Sequence, residues 1–222
     1  IEEQPEEPEH DLGDAPDSTN TWNNTPMTAY VPGGGPPNIP ARYPTVFQAG
    51  SPPHGPIHWA PRAVAFLGQA VTLENEADVG PDQDPTNNIL PSADRPDQDL
   101  SDDAVVLPVR LQHCGPNTFD YVVTVATANG AQVYVNVWFG WNQDGDWDDA
   151  PTCPDGIQAP EWAVQNQFLN LGPGVHTITT PAFVAWINPD TDLRELWMRI
   201  TLAERPIDLA GMTGHGGAGP SS

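Results

Sequence analysis

The chain has 222 residues, enough for one large β domain with tails or for two small domains. Its formal charge is −23, from 30 acidic and 7 basic residues, and it contains no lysine. Nucleic-acid backbones and anionic lipid surfaces both need clustered Lys and Arg, so neither is a default partner. A compact chain this acidic repels itself unless something neutralises it, and divalent cations are the obvious candidates.

Only 17% of residues are charged and 38% are hydrophobic, so the body is not a disordered polyanion. The 27 Pro and 20 Gly oppose long helices, while eight Trp and many Val, Thr and Tyr favour strands. No apolar run approaches the roughly 20 residues of a membrane span.

In chain order, residues 1–10 (IEEQPEEPEH) read as an acidic extended arm. Ile1 followed by that run resembles the start of a processed, secreted chain. Residues 11–60 are rich in Pro, Gly and Asn and predict irregular backbone packed by Trp22, Tyr30, Tyr43, Phe47 and Trp59. Asn23 opens a glycosylation-type sequon, a pattern common by chance. Residues 62–73 predict a short strand pair or a single helical turn, and 74–103 form a long acidic loop.

From 104 onward the strand signal is strong. Strands are expected over 104–112, 119–128, 131–141, 161–169, 174–180, 182–187 and 195–204. Over 131–141, Val133, Val135, Val137, Phe139 and Trp141 share one face. Residues 206–222 return to a Gly-rich tail. No internal repeat stands out. The predicted fold is all-β: one antiparallel β-sandwich domain over 11–205, jelly-roll or Ig-like, with a long irregular N-terminal segment and extended tails. Cys114 and Cys153 both lie in turn-like segments and read as one disulfide, two free thiols being the other possibility.

The sharpest motif is NQDGDWDD at 142–149, directly after the strand ending at Trp141. Asn142, Asp144, Asp146, Asp148 and Asp149 offer side-chain oxygens, and calcium takes six to eight oxygen ligands in flexible geometry. An Asp/Asn-rich turn without metal has the same composition. Three further acidic groups are candidate ligands: Glu74, Glu76 and Asp78; Asp102 and Asp103; and Asp14 and Asp17.

DLGDAPDS, ENEAD and WFGWNQDGDWDD together resemble the GEVED-type β-domain of bacterial and archaeal extracellular surface proteins. The resemblance covers about 11–205 in islands and implies an extracellular, calcium-associated β-sandwich. Two departures stand out: Gly140 replaces the Asp that opens the family's loop, and SDDAVV, with Asp102 and Asp103, replaces an acidic segment. The 142–149 loop is then expected to bind weakly, or to complete its shell from 74–78 or 97–103.

No enzymatic pattern emerges. The six His form no metal-protease spacing, no nucleophile-elbow motif occurs, and a pair of carboxylates is expected by chance among 30 acids. Trp138, Tyr134, Trp197 and Arg199 share a sheet face that is either an exposed sugar-stacking platform or a second buried face under the 20–60 segment; burial is favoured. The expected function is non-enzymatic: an extracellular or cell-surface subunit, braced by calcium and without organic cofactor. Copies of itself, joined into a filament or surface layer by an arm on a sheet edge, are the expected partner. The alternative is a carbohydrate-binding or adhesive module.

Overall fold

The computed structural model describes residues 10–11, 39–41, 43, 58–59, 64–71, 104–105, 108–188 and 196–207. Among these the fold is all-β, with no helix. The strands are β1 (His10–Asp11), β2 (His58–Trp59), β3 (Ala65–Leu67), β4 (Pro116–Asn117), β5 (Asp120–Val125), β6 (Ala131–Phe139), β7 (Trp162–Leu171), β8 (Gly174–Thr179), β9 (Phe183–Val184) and β10 (Met198–Ala203).

Two three-stranded antiparallel sheets, ordered β10-β6-β7 and β3-β5-β8, carry the body, and β1-β2 and β4-β9 form two-stranded ladders. Period-2 patterning explains the main strands. In β5, Tyr121, Val123 and Val125 are buried while Asp120 is exposed. In β6, Val133, Val135, Val137 and Phe139 face the same core. That core joins both sheets, because Leu169 of β7 and Leu202 of β10 belong to it together with the β5 side chains. Each fully buried aliphatic side chain contributes about 1.5–3 kcal/mol. The Tyr121 hydroxyl donates to Gln167 Oε1 at 2.9 Å, linking the two sheets. At one end the core becomes aromatic: Phe139 stacks on Trp141 with centroids 4.4 Å apart and meets Phe119 edge-on at 6.3 Å. The 142–149 loop leaves from this rigid end.

The other face of β6 is buried too. Trp138 is 0% exposed and stacks on Trp162 at 5.5 Å. Ala41, Tyr43, Trp147 and Ile207 complete this second cluster. Asn166, at positive φ in the irregular part of β7, clamps Ile207 through two hydrogen bonds, its Nδ2 donating to Ile207 O and its Oδ1 accepting from Ile207 N. The aromatic face is therefore covered by chain segments rather than open to solvent at Trp138.

Some boundaries differ from expectation. The described residues of segment 104–112 form no strand: Val105 makes one isolated bridge to Tyr121, and residues 108–112 join no ladder. Pro108 lacks the amide a continuous ladder needs. The 182–187 segment contracts to β9, and the turn-like segment around Cys114 contributes β4. Residues 65–67 resolve the 62–73 ambiguity toward strand. Cys114 and Cys153 form a disulfide with Cα atoms 5.7 Å apart and a sequence separation of 39. Closing a loop of that length restricts the unfolded chain by about 4 kcal/mol. No helix among the described residues is long and apolar enough to cross a membrane.

Candidate metal centre

The loop after β6 is shaped by its own side chains. Asp144 N donates to Asn142 Oδ1 (3.1 Å), Asp146 N to Asp144 Oδ1 (3.4 Å), and Asp148 N to Asp146 Oδ1 (3.2 Å). These are successive Asx turns, the alternative that Asn and Asp offer to regular backbone pairing. Gly145, at φ 105°, supplies a left-handed step no L side chain takes comfortably. Trp141, Gln143 and Trp147 point inward between the turns, so the even-numbered residues are left facing outward.

The result is a convergence of Asp144, Asp146 and Asp149, with one carboxylate oxygen of each within 4.8 Å of the others. Asn142 Nδ2 bridges them, donating to Asp144 Oδ2 at 2.9 Å and to Asp149 Oδ2 at 2.7 Å. Asn142 thus turns a donor rather than an oxygen toward the carboxylates. Asp148 is exposed and outside the convergent group. Partial burial first, then the neighbouring Asp146 charge and the hydrogen bond and charge of Asp149, push the Asp144 carboxyl up to about 6. Three carboxylates this close repel one another, and a cation of matching size relieves that repulsion.

Behind the loop lies a residue the sequence reading missed. Residues 149–161 form a hairpin: Glu161 N donates to Asp149 O, Ala159 N to Pro151 O and Cys153 N to Ile157 O, each at 2.8 Å. The disulfide ties this hairpin to Cys114. At its end stands Glu161, 0% exposed. Its Oε2 accepts from Asp149 N at 3.2 Å, and the Asn142 backbone N–H also favours the charged carboxylate. Its Oε1 is buried without a hydrogen-bond partner among the described residues. Desolvation above all, with the Asp144 and Asp149 charges adding, pushes the Glu161 carboxyl up to about 8, against the two amide bonds. The one sequence signal was a lone acid, Glu161, opening an otherwise uncharged strand.

Two neighbouring carboxyls with raised pKa values invite comparison with an acid–base pair. Glu161 has no exposed surface, however, so its raised value reflects burial first of all.

The structure gives a steric reason for glycine at position 140. A Cβ there would lie 2.8 Å from the hydroxyl of buried Tyr43 and 3.6 Å from Trp147 Nε1. An Asp at this position would collide with the aromatic lid. The other candidate ligands, Glu74, Glu76, Asp78, Asp102, Asp103, Asp14 and Asp17, and the sequon at Asn23, lie outside the described residues.

No protein-family model, curated protein or solved structure matches this chain.

Proposed function

We propose that this protein is a non-catalytic, extracellular β-sandwich whose 142–149 loop holds calcium, and that it serves as a self-assembling filament or surface-layer subunit. The observation that carries this reading is the convergence of Asp144, Asp146 and Asp149 at the end of a rigid aromatic core. The Cys114–Cys153 disulfide supports an oxidising compartment. The charge of −23 supports a cation-rich one. The likeness of the loop to GEVED-type surface domains belongs to the same proposal.

Assembly is supported by β8. It lies at the edge of its sheet among the described strands, is largely exposed, and carries Val175 at 59% exposure. Such an edge is a template for an extended arm from another copy. The carbohydrate-binding alternative has less support: Trp138 is covered, and among the described residues the aromatic pairs with an exposed member are Tyr134–Phe168, with centroids 5.3 Å apart, and His113–Trp186 at 6.3 Å.

Electron microscopy and thermal denaturation of the full chain, in calcium and in chelator, test both parts. Regular polymers are expected, and discrete monomers under both conditions would remove the assembly role. Calcium at a hundredfold its dissociation constant stabilises by about 2.7 kcal/mol, a rise of roughly 5–10 °C for a domain of this size. An identical melting temperature in chelator would remove calcium.

A further inference from the structure

The 142–149 loop and the start of β7 are twelve or more residues apart in sequence, yet they meet at one buried carboxylate. We propose that Glu161 is the fourth, buried carboxylate of the cation site formed by Asp144, Asp146 and Asp149, and that the site takes a divalent ion of calcium's size. This rests on the reading of the loop as a calcium site and adds to it a ligand from outside the loop.

Three observations converge. Glu161 is wholly buried, and a buried carboxylate is retained only when hydrogen bonds, an opposite charge or a metal compensates it. Its compensation is half complete: Oε2 has the Asp149 amide, whereas Oε1 has no partner among the described residues. Oε1 lies outside the group of oxygens that converge within 4.8 Å, so it joins the ion only when the loop and Glu161 draw together, a step that leaves the Oε2 bond to the Asp149 amide in place. The position is also built, not incidental. Glu161 O accepts from Phe139 N at 2.9 Å, Glu161 N donates to Asp149 O, and the hairpin stem and disulfide fix the rest.

The donor set is all oxygen and carries up to four negative charges, which excludes soft metals that prefer thiolate or imidazole. A loop of consecutive Asx turns is pliable, and a Glu can bind through one or both oxygens. Calcium tolerates that variability at six to eight ligands; magnesium requires near-ideal octahedral geometry and keeps its waters. The Asn142 amide, which bridges Asp144 and Asp149, marks where positive charge is wanted.

The test uses the intact, disulfide-bonded chain, titrated with calcium by calorimetry and with terbium by Trp-sensitised luminescence, Trp147 being part of the loop. Wild type, E161Q, E161D and D146N are compared, each also melted in chelator. E161Q keeps an acceptor for the Asp149 amide but removes the buried charge. It is expected to weaken calcium at least tenfold while melting in chelator at or above the wild-type temperature. E161D keeps the charge but withdraws it by one methylene, and the same weakening is expected from it should E161Q fold poorly. Wild-type calcium affinity in either folded Glu161 variant, with D146N impaired, would overturn the assignment of Glu161 while leaving the loop site intact. Absence of calcium binding to the wild type would overturn the loop reading itself.

Discussion

Strand β6 is buried on both faces, and the two faces differ in chemistry. Inward, Val133, Val135, Val137 and Phe139 meet the second sheet with no polar side-chain atom among them. Outward, Asn136 and Trp138 lie beside Thr201 and Arg199 of β10, the residues paired with them across the ladder. Trp147 and Tyr43 cover this outer face, with Arg199 4.3 Å from the Trp147 ring centroid. Asn136 Oδ1 is well used, accepting from Trp162 Nε1 and Asn166 N. Four buried atoms of the outer face have no hydrogen-bond partner among the described residues: Asn136 Nδ2, Trp138 Nε1, Trp147 Nε1 and Thr201 Oγ1. The inner face is held mainly by apolar burial, with the Tyr121–Gln167 hydrogen bond linking the two sheets at its margin. The outer face is a lid, in which aromatic area offsets the cost of desolvated polar groups.

The contrast is sharpest at adjacent residues. Trp138→Ala is expected to cost about 3–5 kcal/mol and Val137→Ala about 2 kcal/mol, measured by urea denaturation. Equal costs would mean that the lid is loosely seated despite its burial. Gly140→Ala comes next. Its new methyl would press on Tyr43 and is expected to destabilise by about 1–3 kcal/mol. Restoration of wild-type stability in Gly140→Ala with Tyr43→Phe would identify the hydroxyl as the obstacle. The smallest effect is expected from Thr201→Val, which removes an unpartnered hydroxyl at constant shape. Its stability should stay within about 0.5 kcal/mol of wild type or rise. A loss above about 1 kcal/mol would show that the hydroxyl has a partner.

Alternation along a strand made the inner core legible from the sequence, because apolar residues at every second position have one explanation in β5 and β6. It could not say whether the outer face was wet. Trp138 and Arg199 are covered by Tyr43 and Ile207, which come from segments far along the chain with no periodicity of their own. The loop was legible for a similar reason. Spacing of two sets Asn142, Asp144 and Asp146 on one side, whereas Asp149 arrives out of phase and Asp148 points away. Glu161 escaped because its proximity depends on a hairpin and a disulfide that close thirteen residues into a side excursion. At 108–112 the expected strand is absent because apolar composition alone cannot make a ladder where Pro108 has no amide to donate.

That excursion has a practical consequence. Its stem is fixed by paired amides and by the Cys114–Cys153 link, while Pro154, Asp155 and Gly156 at the tip are exposed, and nothing lies within 4 Å of where a Gly156 side chain would project. A fluorophore or short epitope grafted between Asp155 and Gly156 would ride on an anchored post and leave both sheets undisturbed. Joined to the acidic loop through the paired stem, such a reporter would follow movements of that stem from outside the strands that carry the fold.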